Sequence, residues 1–213
     1  MKLAIFDIDG TITRRSSERF FIQFLLRRKK LTRRRLMTTF FLFLLRHPMQ
    51  AFNGFKQNKM YLRNLKEQEV RSLALECFDK QIQFDIKNTL LEEIRRRKSE
   101  GYKILLLSGS LPCLVEPMVK FVGADFMICS ELELSDGKFT GNMTTLHPYG
   151  RNKKILSKLF CKEHGFDLQH ACAYANEWAD RFLLEAVQES IAVDPDKKLN
   201  QLSIKKDWKV INT

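Results

Sequence analysis

Apolar positions follow two rhythms along this chain, and the switch between them divides it. Leu3, Ala4, Ile5 and Phe6 form an unbroken apolar run cut short by a turn, the pattern of a parallel strand buried on both faces. From about residue 16 to 98 the spacing becomes helical, with no convincing strand. Phe20, Phe21, Phe24 and Leu25 share one face; Leu36, Phe40, Phe41 and Leu44 share another. Leu73, Leu75 and Phe78, then Leu90, Leu91 and Ile94, repeat the theme. His47-Pro48 and Asn53-Gly54 read as turns within this block.

Strand-like runs return after Gly101, which closes a basic helix ending in Arg95, Arg96, Arg97 and Lys98, the favoured place for both glycine and cations. Residues 103–107 predict a strand, followed by Ser108-Gly109-Ser110 and a helix to about Val122. Residues 126–130 predict another strand, and Asp136-Gly137 is a hairpin turn between 132–134 and 138–140. Residues 152–164 are helical. Strands follow at 172–174 and 191–193, with an edge strand at 208–211. This alternation predicts an α/β fold: an open, mostly parallel sheet flanked by helices on both faces. The helical block, residues 16–96, reads as a small all-helical cap domain inserted into a core made of 1–15 and 97–213. No repeat or low-complexity linker interrupts the pattern.

At 213 residues and 44% hydrophobic, the chain suits one large domain or a core with a modest insertion. Thirty-seven Lys and Arg against 25 Asp and Glu give a net charge of +12, which favours anionic partners. The excess is concentrated: Arg14, Arg15, Arg19, Arg27, Arg28, Lys29, Lys30, Arg33, Arg34 and Arg35 are opposed only by Glu18. Solvated helix faces explain such a run as readily as a binding surface. The five cysteines are odd in number and show no C-x-x-C spacing, so reduced core thiols and a cytoplasmic location are expected. Charged residues fall where the apolar stretch of a signal peptide would lie. The run LMTTFFLFLL, residues 36–45, is about half the length needed to span a bilayer. Burial in a helical bundle is the favoured reading for it, with peripheral contact with an anionic membrane as the alternative.

The candidate chemistry sits at the end of the first strand. Asp7 and Asp9, two residues apart and followed by Gly10 and Thr11, lie where α/β sheets place their ligands. Two such acids suit Mg²⁺, with one carboxylate free to attack phosphorus. Ser108 opens a strand-turn-helix, where free backbone N–H groups favour anions, although a plain helix cap is an equally simple account. Ser110 reads as a cap or turn residue, and His147, beside Pro148, as an exposed loop histidine.

Taken together, DIDGT at 7–11, LLLSGS at 105–110, ELELSDGKFTG at 131–141, GRNKKILSKL at 150–159 and YANEWADRFLL at 174–184 resemble the haloacid dehalogenase (HAD) superfamily. The similarity is greatest to its phosphoserine-phosphatase-like branch, subfamily IB, and covers nearly the whole chain. DPDKKL at 194–199, followed by Trp208, resembles that branch's ending. The resemblance implies a Rossmann-like core and a Mg²⁺-dependent phosphomonoester hydrolase working on a small phosphorylated substrate. It implies Asp7 as nucleophile, forming an aspartyl-phosphate, and Asp9 as general acid and base. Thr11, Ser108, the amide of Gly109 and Lys153 would hold the phosphoryl group. Asp7, Asp9 (by its carbonyl), Asn176 and Asp180 would hold the metal. Lys153 and its neighbour Lys154 both remain candidates, the G-x-x-K spacing from Gly150 favouring the former.

The last motif departs from the family pattern: Asn176 stands where the family has an acid, and Ala175 where it has glycine. Weaker metal binding, recruitment of Glu177, or a catalytically weakened binding or regulatory protein would each follow from that change. The glutamate with which phosphoserine phosphatases bind the substrate ammonium is replaced here by Ser16, with Glu18 near. Arg14, Arg15 and Arg19 instead suit a substrate carrying extra negative charge. A lipid phosphate at a membrane surface is one such substrate. Nucleic acid is not expected, since no binding motif for it is present.

Overall fold

The computed structural model describes residues 2–46 and 59–213. Six parallel strands form its centre: β1 (Lys2–Asp7), β2 (Tyr102–Leu107), β3 (Phe126–Ile128), β6 (Cys172–Ala175), β7 (Glu189–Val193) and β8 (Lys209–Ile211). Their order is β3-β2-β1-β6-β7-β8, so β1 is central and β8 forms an edge. Leu3 to Phe6 are all buried, as expected of a strand covered on both sides. On one side Phe6 stacks on Tyr174 of β6, ring centroids 4.1 Å apart, and both belong to the larger apolar cluster. Leu3 and Ile5 point to the other side, among Leu105, Leu107, Phe160 and Leu183. The side chains alternate across the pleat, and helices supply the cover on each face.

Between β1 and β2 run α1 (Ser17–Arg27), α2 (Arg33–Arg46), α3 (Glu67–Lys80) and α4 (Asn88–Ser99). Ser16 caps α1, its Oγ accepting from the Arg19 amide at 3.4 Å. Phe20, Phe21, Phe24 and Leu25 are buried and join the same cluster as Ala4 and Phe6, so the inserted helices pack into the sheet's own core. The boundary expected near residue 96 falls inside α4, which lies against β2. Gly101 follows α4 with φ +82°, the left-handed conformation that ends the helix. The turns expected at His47-Pro48 and Asn53-Gly54 lie outside the described residues.

The remaining helices are α5 (Pro112–Val122), α6 (Arg151–His164), α7 (Arg181–Leu184) and α8 (Lys197–Lys205). The antiparallel hairpin β4 (Leu132–Ser135) and β5 (Lys138–Met143) turns at Asp136-Gly137, as its sequence predicts. It is tied to the insertion by backbone hydrogen bonds between Asn64 and Phe139 (2.8 Å) and between Glu67 and Gly137 (2.9 Å).

The expectation of burial for α2 is overturned. The apolar run on α2 is only half buried: Phe43 and Thr39 face the interior, while Met37, Phe41, Leu42 and Leu45 are exposed. The helix carries apolar side chains around more of its circumference than its single packed face can cover. All five cysteines are free, and Cys129 alone among them is not fully buried. Among the described residues, no helix is long and apolar enough to cross a membrane.

Candidate active site

The C-terminal ends of β1, β2 and β6 open into a cavity of about 720 Å³. Asp7, Asp9, Ser108, Lys153, Asn176 and Asp180 all line it. The sequence spreads these residues over most of the chain; the parallel sheet brings them together because successive strands end at the same edge.

Asp7 is the last residue of β1 and is almost fully buried. Lys153, in the first turn of α6, places its Nζ 2.6 Å from Asp7 Oδ1 and 2.8 Å from Asp180 Oδ1. Thr11 Oγ1 donates to Asp7 Oδ2 at 2.8 Å. Burial raises the Asp7 pKa well above the usual carboxylate range, Lys153 opposes the rise, and the charges of Asp180 and Asp9 add to it. Burial also pulls Lys153 down, but the carboxylates of Asp180 and Asp7 more than offset this and keep it an ammonium, above its ordinary range. Two buried carboxyl groups thus share one buried cation. Of the two candidate lysines, Lys153 lines this cavity, while Lys154 lines a separate one with Lys158 and Lys162.

Asp9 sits one turn of loop beyond Asp7. Its Oδ1 accepts from the Ser17 amide (2.6 Å) and hydroxyl (2.7 Å), and its Oδ2 from the hydroxyls of Ser108 (3.1 Å) and Ser110 (2.8 Å). These four donors hold both carboxylate oxygens in place. Ser17 Oγ and Ser110 Oγ are 2.9 Å apart, so the two hydroxyls also meet each other beside Asp9. Ser110 is therefore a positioning residue for Asp9 and more than the turn residue expected. Ser17, which sequence reasoning missed, does the same from the start of α1.

Gly10 has φ +90°, and a Cβ there would lie 2.2 Å from Asn176 Nδ2. Only glycine permits both the turn and this approach. Asn176 Oδ1 lies 3.1 Å from Thr11 Oγ1, which links the last motif to the first through one hydroxyl. Lys87 Nζ donates to the Gly10 carbonyl (2.8 Å) and to Asp194 (2.7 Å), pinning the loop from beneath. Nothing in the spacing marks Lys87; only the fold places it.

His147 is buried, contrary to expectation. Its Nδ1 is 2.7 Å from Ser130 Oγ, and its ring occupies the space that a Cβ on Gly109 would fill. The missing side chain at Gly109 is what admits the imidazole to the cavity wall. Ser130 Oγ also donates to the Gly109 carbonyl at 2.9 Å, fixing the loop after β2.

Further lining comes from the segment that leads into the insertion, Arg14 and Arg15, and from α1, with Glu18, Arg19 and Ile22. Arg15 is committed to Asp85, through Nε (3.0 Å) and Nη2 (2.9 Å). Glu18 is bound by Lys59 and by the Tyr61 hydroxyl (2.7 Å), so it is not free to receive an ammonium group. Arg14 and Arg19 are exposed and form no ion pair with the described residues.

The oxygen donors fit Mg²⁺ by their chemistry: the carboxylates of Asp7 and Asp180, the Asp9 carbonyl and the Asn176 amide oxygen are all hard ligands. Among the described residues no group of three or more His, Cys, Asp or Glu side chains is placed to hold a metal. A site of this kind suits an ion that keeps much of its water.

Known proteins share this fold and sequence pattern. The chain is similar to a probable phosphatase of Mycobacterium tuberculosis, 26% identical over 98% of this chain and 74% of the relative. It is also similar to a histidinol-phosphatase of Neisseria meningitidis, 24% identical over 99% of this chain and 98% of the other. A Bordetella pertussis protein of unknown function shares the fold with a TM-score of 0.86 at 21% identity, covering 99% and 97% of the two chains. A substrate-bound phosphoserine phosphatase superposes with a TM-score of 0.67 at 17% identity, over 99% and 92%. The family model for haloacid dehalogenase-like hydrolases matches residues 4–185, and the chain belongs to that family.

Proposed function

We propose that this hydrolase cleaves phosphomonoesters in two displacements through an aspartyl-phosphate on Asp7, with Asp9 as proton donor and acceptor. The observation that carries this reading is the buried Asp7–Lys153–Asp180 cluster beside a hydroxyl-bound Asp9 at the mouth of one cavity. Lys153 and Thr11 each hold one Asp7 oxygen, which fixes the carboxylate, and Lys153 opposes the upward push of burial on its pKa. Asp7 attacks phosphorus, the P–O ester bond breaks, and the departing alkoxide takes its proton from Asp9. Water then attacks the acyl phosphate, gives its proton to Asp9 and releases inorganic phosphate. Ser108 and the Gly109 amide, at the entrance to α5, bind phosphoryl oxygens, and Lys153 offsets the crowding of negative charge.

Asp7, the Asp9 carbonyl, Asn176 and Asp180 would hold Mg²⁺, which supplies Lewis-acid polarisation of the phosphoryl group. An amide at Asn176 keeps an oxygen donor but removes one negative charge, so looser metal binding accompanies retained chemistry. The substrate carries a second anionic group, received by Arg14 and Arg19 at the rim. Phosphoserine is disfavoured because Glu18 is already paired with Lys59 and Tyr61. Phosphate release from an aryl phosphate with Mg²⁺, and from a panel of sugar, nucleotide, amino-acid and lipid phosphates, tests the reading. Turnover should depend on Asp7 and on the metal. Turnover that survives in Asp7→Asn rules the mechanism out, and silence across the panel without Mg²⁺ binding favours a regulatory protein.

A further inference from the structure

We infer that the exposed face of α2 docks the protein, in the plane of the interface, onto a bilayer rich in anionic phospholipid. The inference stands apart from the catalytic reading. Met37, Phe41 and Leu45 are 61%, 58% and 80% exposed and recur every fourth residue, so they form one apolar stripe along the helix. Phe43 and Thr39 are buried on the packed side, and Arg35 anchors the helix by donating to the Arg63 carbonyl. The stripe is thus held outward by packing.

Charge selects the occupant. Arg27, Lys29, Arg33 and Arg34 are exposed around the start of α2 and pair with no acid among the described residues. Arg28 and Lys30, by contrast, are engaged by Glu76 and Glu69. The first turn of α2 contains no acidic residue and three consecutive arginines, Arg33, Arg34 and Arg35, which opposes the helix dipole. An anionic surface relieves that cost and receives the apolar stripe at the same time. A second copy of this chain would bring the same positive charge, with no acidic side chain on this face to meet it. At 14 residues the helix is about 21 Å long, too short to span a bilayer and suited to lying along one.

Co-sedimentation of the full chain with vesicles of equal parts phosphatidylglycerol and phosphatidylcholine, against pure phosphatidylcholine, tests this. Binding is expected to the anionic vesicles only. The triple variant Met37→Ser, Phe41→Ser, Leu45→Ser keeps every charge and should weaken binding by about tenfold or more. Its turnover of a soluble aryl phosphate should be unchanged. A Phe41→Trp variant, which retains the apolar face, should show a blue-shifted emission with anionic vesicles. Absence of binding to anionic vesicles overturns the inference. Binding that the triple variant leaves intact, with no shift in Phe41→Trp, overturns it too, because the basic charge alone then explains the association. Dimerisation lost in the triple variant, without vesicle binding, would assign the face to a second copy instead.

Discussion

The two walls of the cavity are built on opposite terms. On the sheet side Asp7, Lys153 and Asp180 are buried, and each charge lies within 2.8 Å of an opposite one. On the other side Arg14, just before the insertion, and Arg19, in α1, stand in solvent with no ion pair among the described residues. A group that must act on charge developing at phosphorus gains most from a fixed, dry setting, where no reorganisation accompanies the reaction. A group that only chooses among substrates can remain exposed, at the cost of a screened and weaker pull. The sheet side should therefore govern turnover and the rim should govern affinity.

The largest effect should come from Asp7→Asn, which removes the nucleophile and lowers turnover by on the order of 10⁴ or more. The metal-free variant should nevertheless be at least as heat-stable as the parent above neutral pH, because a costly buried charge is gone. The parent's own pH dependence follows from the same residue. An unfolded Asp7 loses its proton near 3.8, whereas the folded one keeps it to about 7, so the native state holds the extra proton between these values. Metal-free stability should fall as pH rises through that window, and thermal melts of Asp7→Asn should lack that part of the slope.

Lys153→Met should lower turnover by about 10²–10³. It should also destabilise the protein by about 3 kcal/mol, since two buried carboxylates lose their common partner. Equal turnover in the variant would mean that the charge cluster is purely structural. Ser110→Ala should reduce kcat about tenfold with little change in KM, because it loosens Asp9 and touches no substrate. Asn176→Asp should tighten Mg²⁺ about tenfold by restoring a charged ligand, measured by calorimetric titration. Smallest of all, Arg19→Gln should raise KM about fivefold for substrates with a second anion and leave other substrates unaffected. A change in kcat there would erase the division between the walls.

Much of the fold was legible because it rests on local rhythm. Leu3 to Phe6 could only be a doubly covered strand, and Asp136-Gly137 could only turn a hairpin. The acids of DIDGT stood out because they close a strand at a glycine turn, and the lysine of G-x-x-K only through the family resemblance; the fold brings them to one cavity. Ser17, Lys87 and His147 were not legible, for a common reason. Lys87 and His147 act across long sequence separations, on Gly10 and beside Gly109, and Ser17 meets Asp9 through a loop of irregular backbone; no periodicity records such meetings. Burial of α2 was misjudged because apolar content shows that a helix has something to cover, while only packing decides how much is covered.

Lys87 joins the Gly10 carbonyl to Asp194, whose backbone follows β7. The nearly buried ammonium therefore works as a rivet between the loop after β1 and the loop after β7, across the intervening strand β6. A sliding motion between those loops would strand that cation without water or partner. The sheet edge consequently serves as a stiff sill, and whatever opens to admit substrate must be found on the helical side.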